Sequence, residues 1–281
     1  MADLASSRQE TSSTRSPSAS PRTRATEYAH PLWAFLIVFL AWQIGVVLFK
    51  VPIYLLPTPW QILKEIVASA PHLLNQSMVT VSEMLWGYFF SIILGTSLGL
   101  AVASWRVFER MIFPILVFFQ LIPKIALAPL FIIWFGFGML PKVLITFLLS
   151  FFPIMINCIV GFRSLDPEVV LLLRSMGARP VDSFLKIRLP SALPHIFAGL
   201  KISATGATVG AIVGEFVGSD KGLGYLLLVA QGDLNTPLLF AALAFLTAAG
   251  LILFYAVDFA ERQAIPWHVS RRGEGAVEVS N

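Results

Sequence analysis

Residues 163–190 read RSLDPEVVLLLRSMGARPVDSFLKIRLP, a stretch carrying Arg163, Arg174, Arg179, Lys186 and Arg188 between two long apolar runs. The run before it, 143–162, has no charge, and the run after it, 189–214, is interrupted only by Lys201. Asp166 is a good N-cap, Pro167 suits the first helical turn, and Glu168 complements the helix dipole. The pattern predicts a helix from Val169 to Met176, ended by Gly177 in the left-handed conformation. A second helix, about Val181 to Ile187, is expected to stop at Leu189-Pro190. Such a helix–turn–helix has too small a core to stand alone. Its apolar Leu171, Leu172, Leu173, Met176, Phe184 and Leu185 must therefore meet a cytoplasmic partner protein or the ends of membrane helices.

Working outward, the apolar runs dominate the chain. Of 281 residues, 57% are hydrophobic and only 13% charged, with a mean hydropathy of +0.78. A soluble domain carries about 25% charged residues, so this surface is not built for water. A helix needs about 20 mostly apolar residues to cross a bilayer. Runs of that kind occur at 31–49, 84–105, 111–141, 143–162, 189–214 and 234–257, which predicts an all-α membrane protein with six spans. The third run holds Pro114, Pro123 and Pro129 and is expected to kink or break. Little chain remains for a catalytic domain, and no G-x-x-x-x-G-K-[ST] phosphate loop is present. ATP hydrolysis would have to come from another chain.

Residues 1–26, rich in Ser, Thr, Pro and Arg, read as a disordered tail. The six-span domain is assigned to 27–268, and 269–281 to a C-terminal tail. Thr58-Pro59-Trp60-Gln61 combines a capping box with proline at the first helical position, predicting a short amphipathic helix on the outer face. With the N-terminus inside, the tails and the 106–110, 163–188 and 262–272 segments hold nearly all the basic residues. Only Lys50, Lys64, Lys142 and Lys221 then lie outside. The positive-inside rule thus puts both termini in the cytoplasm and explains the net charge of +4 without nucleic acid. The single cysteine, Cys158, excludes an internal disulfide and multi-cysteine metal sites.

The run Gly177-x9-Ile187-x-Leu189-Pro190 resembles the cytoplasmic signature of permease subunits of binding-protein-dependent ABC importers. Leu171, Leu172 and Leu173 replace the E-A-A that opens the family pattern, and Glu168 is the nearest acid. Leu56-Pro57-Thr58-Pro59, Ile122-Pro123-Lys124-Ile125-Ala126-Leu127-Ala128-Pro129-Leu130 and Trp134-Phe135-Gly136 are similar to the nitrate/sulfonate/taurine branch. So are Gly214-Glu215-Phe216, Gly222-Leu223-Gly224-Tyr225 and Pro266-Trp267-His268. Glu83-Met84-Leu85-Trp86-Gly87-Tyr88 and Pro123-Lys124 look most like members serving thiamine-pyrimidine or riboflavin-type solutes. The resemblance implies a type I ABC importer permease-like bundle, acting as a homodimer in the bacterial inner membrane. It also implies two cytoplasmic ATP-binding subunits, which hold the ATP and Mg, and an external solute-binding protein. The chain itself would need no cofactor. Glu168, Arg174, Met176, Gly177, Ala178, Phe184, Ile187, Leu189 and Pro190 become the expected ATPase-coupling residues.

Within the spans, Gly206, Gly210, Gly214 and Gly218 recur every four residues on one helix face. Such a strip serves tight packing in lipid, or a mobile seam beside the translocation path. Intramembrane charge is expensive, so Glu83, Lys124 and Glu215 are weighed as path or gate residues with Gly206, Gly210 and Gly214. Glu83 follows Thr80 at capping-box spacing and could instead cap the second span. Lys124 sits between two prolines, and Glu83 is the acid it could pair with. Gly95-Thr96-Ser97-Leu98-Gly99 matches the G-x-S-x-G nucleophile pattern, but it lies inside an apolar helix, and His30, His72, His195 and His268 fall in loops or at span ends. The competing class is a stand-alone ion-coupled secondary transporter or channel.

Overall fold

The computed structural model describes residues 21–266, and the described residues are helical and connected by short turns. The sequence readings for 1–20, for Trp267-His268 and for the 269–281 tail lie outside the described residues. The helices are α1 (Pro21–Leu48), α2 (Pro59–Ala68), α3 (Ala70–Ser104), α4 (Arg106–Leu121), α5 (Ala128–Phe135) and α6 (Met139–Arg163). They continue as α7 (Pro167–Ser175), α8 (Pro180–Ser183), α9 (Leu189–Gly218), α10 (Leu223–Gly232) and α11 (Thr236–Ala264).

The described residues up to Val51 form one unit and those from Pro52 onward another. In the first, α1 begins at Pro21, within the stretch read as tail, because Pro suits a first helical turn. Its apolar part, Trp33–Leu48, is shorter than the other candidate spans. In the second unit, α2 starts as expected. Thr58 Oγ1 accepts from the Gln61 N–H at 3.2 Å, and the Gln61 side chain accepts from the Thr58 N–H at 2.8 Å.

Among the described residues, four helices are long and apolar enough to cross a bilayer: α3, α6, α8–α9 and α11. A bent pair, α4 with the 124–135 segment, would make a fifth. The sequence reading expects six spans, the third of them broken; the described residues give four, or five with this bent pair. The bend is 85° and falls at Ile122-Pro123. Proline has no N–H to continue the helix and drives the preceding residue into extended backbone, and Ile122 has φ −66 and ψ 131. Two further boundaries differ from the sequence reading. The helix expected at 84 begins at Ala70, so Thr80 and Glu83 are mid-helix and cap nothing. Leu189-Pro190 does not stop the second loop helix; a π-type turn, Phe184–Arg188, joins α8 to α9. The Leu189 N–H bonds to the Phe184 carbonyl five residues back, and the wider turn absorbs the N–H missing at Pro190.

α6 is the centre of the second unit, held between glycine-bearing faces of α3 and α9. In lipid, apolar burial does not drive helices together, so close backbone approach and dispersion must do so. A Cβ on Gly210 would lie 2.5 Å from Thr146 Cα, and one on Gly214 2.9 Å from Lys142 Cα. One on Gly206 would lie 3.0 Å from the Leu149 carbonyl oxygen. From the other side, Gly87 abuts Thr146, Gly95 abuts Ile154, and Gly99 abuts Cys158. The G-x-S-x-G stretch is therefore a packing face on a continuous helix. Hydroxyls stitch the same seams: Ser91 donates to the Phe147 carbonyl at 2.9 Å and Ser203 to the Ser150 carbonyl at 2.8 Å. Tyr88 donates to the Leu200 carbonyl at 2.8 Å. α11 packs on α3 and α9 through Ala204, Ala207, Ala211, Ala249, Leu253 and Val257. Lys201 pairs with Asp258 at 2.5 Å and with Glu261, tying α9 to α11.

Candidate functional site

The charged residues singled out from the sequence fall at three places in the second unit. At one end of α6, Glu83 from α3 and Glu215 from α9 come together with Lys142, which the sequence reading counts only among the outside lysines. Relative exposures are 1%, 0% and 6% for Glu83, Glu215 and Lys142. Lys142 pairs with Glu83 and donates to Ser219 Oγ at 2.9 Å. Glu83 thus has Lys142 as its partner, and not Lys124. Thr80 donates to Glu215 Oε1 at 2.6 Å and accepts from the Leu223 N–H at 2.8 Å.

The same cluster holds the first turn of α10. Glu215 Oε2 accepts from the Gly224 N–H, and Gln76 Oε1 accepts from the Gly222 N–H at 2.6 Å. A carboxylate here compensates both the free N–H groups and the positive end of the helix dipole. Gly222 has φ +106, and a Cβ there would fall on the Glu215 carboxylate, so the turn requires glycine. A cleft of about 420 Å³ opens beside this end, lined by Phe137, Gly138, Lys142, Phe216, Gly218, Ser219 and Asp220. Gln76, Lys142 and Ser219 were missed in the sequence. Two acids inside spans demand a nearby cation; the sequence reading looks to Lys124 for it, and the structure supplies Lys142.

At the opposite end of α6 lies the 163–188 loop. The Asp166 carboxylate accepts from the Glu168 N–H at 2.9 Å, as an N-cap should. α7 ends at Ser175, and Gly177, in the turn that follows, has φ +75 with open space around it. Ala178 is half-buried and Arg179 exposed before α8 begins. Phe184 stacks on Phe162 with ring centroids 5.7 Å apart, and with Leu189 it packs against Cys158, Phe162, Ala192 and Ile196. Ile187 and Pro190 are half-buried along the same join. Glu109 and Arg163 pair at 2.9 Å across the neighbouring helix ends. By contrast, Leu171, Leu172 and Met176 are 63%, 59% and 74% exposed. Glu168 is exposed, and Arg174 lies in the last turn of α7. The second half of the loop is anchored to the bundle while the first presents apolar side chains outward.

Lys124 lies at the third place, immediately after the bend. Its Nζ donates to the Gln120 carbonyl at 3.0 Å and sits 4.8 Å from the centre of the Phe152 ring. Gly206, Gly210 and Gly214 face α6, as described above.

Apolar helices locked through glycine faces, several of them long enough to cross a bilayer, define an integral membrane protein. Residues 87–265 match the family described as binding-protein-dependent transport system inner membrane component, and the chain belongs to that family. It is 35% identical over 245 residues to the formylaminopyrimidine transport permease protein ThiX of Halalkalibacterium halodurans, covering 87% of this chain and 98% of that one. It is 36% identical over 242 residues to the riboflavin transport system permease protein RibX of Chloroflexus aurantiacus, covering 84% and 88%. Among solved structures, the inward-facing MetNI methionine ABC transporter matches with a TM-score of 0.56 at 19% identity. That match covers 74% of this chain and 98% of the other, and it shows the shared fold.

Proposed function

We propose that the chain is the membrane half of an ATP-driven importer for a small organic solute. It would work as a homodimer with two cytoplasmic ATP-binding subunits and an external solute-binding protein. Both termini would then be cytoplasmic, and the 163–188 loop would face the ATPase. Support for the solute class comes from the pyrimidine and riboflavin permeases, with sulfonate-type solutes kept open by the sequence resemblance.

The observation that carries the coupling role is the outward apolar face of Leu171, Leu172 and Met176, flanked by basic residues and moored through Phe184. A groove on the ATPase would receive it. Closure of the ATPase dimer would then move the spans between two packed states, coupling a distant equilibrium to the path. Glu168, Arg174, Gly177, Ala178, Ile187, Leu189 and Pro190 would shape and brace this element. In this reading the Glu83–Lys142–Glu215 end braces the outer side of the path, and Lys124 lies along it.

The test is a pull-down of the tagged chain in mild detergent, with mass spectrometry of what co-purifies. A stoichiometric soluble ATPase, lost in Gly177→Arg while membrane insertion persists, is the expected result. Normal uptake by Gly177→Arg would remove the coupling assignment. Gradient-driven uptake by a homo-oligomer lacking an ATPase would shift the reading to a secondary transporter.

A further inference from the structure

The bend between α4 and α5 opens onto a pocket of about 280 Å³ walled by α4, α6 and α9. Its lining includes Gln120, Lys124, Leu149, Phe152, Asn157 and Ile202. The lysines inside the other spans, Lys142 and Lys201, each have a carboxylate partner. Among the described residues, no acid pairs with Lys124. Its hydrogen bond runs back across the bend to the Gln120 carbonyl, and on α6 it meets only the Phe152 ring, so its charge is left without an acid. A cation at membrane depth without a counter-ion is costly to keep and marks a place for one.

The hydrogen-bond balance points the same way. An ammonium carries three N–H donors, and a carboxamide nitrogen carries two. The Asn157 amide spends one on the Pro153 carbonyl at 2.8 Å. Spare donors from Lys124 and Asn157, with Gln120 beside them, thus line a mostly apolar pocket. The pocket is at the small end of ligand sites, roughly 300–1,000 Å³, and suits a small solute or one polar group of a larger one.

We infer that this pocket receives an anionic oxygen group, a carboxylate, sulfonate or phosphate, of the transported solute. Lys124 supplies the charge and Asn157 a second donor. The inference rests on the permease reading and narrows its solute to an acid of the sulfonate kind, since riboflavin carries no anionic oxygen group.

The experiment acylates the detergent-purified wild-type chain with a small amine-reactive ester and reads Lys124 labelling by peptide mass spectrometry, with exposed Lys64 as internal reference. Methanesulfonate, acetate and inorganic phosphate are the probes, and acetamide is the neutral control. At saturation, at least one anion should slow Lys124 labelling about tenfold relative to Lys64, the scale of one charge-assisted hydrogen bond. Acetamide should not. In parallel, methanesulfonate should raise the melting temperature of wild type and Lys124→Arg but not of Lys124→Met. No protection by any anion, or equal protection by acetamide, overturns the inference. If an ATPase co-purifies while protection is absent, the pocket assignment fails and the permease reading stands. Without a co-purifying ATPase, the permease reading fails whatever the labelling shows.

Discussion

The two ends of α6 solve opposite problems. At one, three charged side chains are almost fully buried, and their bonds run to one another and to the start of α10. At the other, leucines and a methionine stand in the open while the charges around them are exposed. Charge sealed inside a bundle is retained only where it is paired, so the first end holds helices together. Apolar groups outside the packed helices stabilise nothing within the chain, so the second end is built for something beyond it.

Substitutions that should damage the two ends unequally sharpen this contrast. Lys142→Met leaves Glu83 and Glu215 buried without their cation and should cost about 3–5 kcal/mol. Size-exclusion yield and the melting temperature in detergent would register it, and an unchanged melting temperature would mean the cluster does not hold the fold. Gly210→Leu comes next, since even a Cβ there would meet the Thr146 backbone. Overpacking of this kind costs about 1–3 kcal/mol, read as lower folded yield. If yield and uptake were both normal, the glycine face would not be the seam described. Gly177→Ala follows at about 1 kcal/mol, because only the left-handed φ opposes it and no neighbour is close. The smallest effect on the fold belongs to Leu171→Ser with Met176→Ser, within about 0.5 kcal/mol. That double variant should nevertheless abolish ATPase co-purification. Retained binding would place the partner surface elsewhere.

Much of this was legible in the sequence, and the failures have a common cause. Spans, the break at Pro123, the cap at Thr58 and the turn at Gly177 follow from local rules, since proline geometry, capping and periodicity need no partner. Lys142 escapes a sequence reading as a site residue because its position near a span end gives no sign of partners until two acids from distant helices are brought beside it. The start of α3 was placed late for a related reason. Polar Gln76, Thr80 and Glu83 look like an interface region, yet they are helical because α9 and α10 satisfy them. The short α10 also read as loop, its helix being held by side chains more than a hundred residues away.

The π-type turn at Phe184–Arg188 has a consequence for the arithmetic of the chain. Each residue removed from an ordinary α-helix rotates everything before it by about 100° relative to everything after it. A π turn already accommodates one residue more than an α turn does. Deleting a single residue there should restore an α turn and leave the Val181 and Leu185 face oriented as before. The same deletion in the straight part of α9 would swing the whole loop to another side of the bundle. Residues 184–188 are thus a stretch where the chain can change its length without losing its aim.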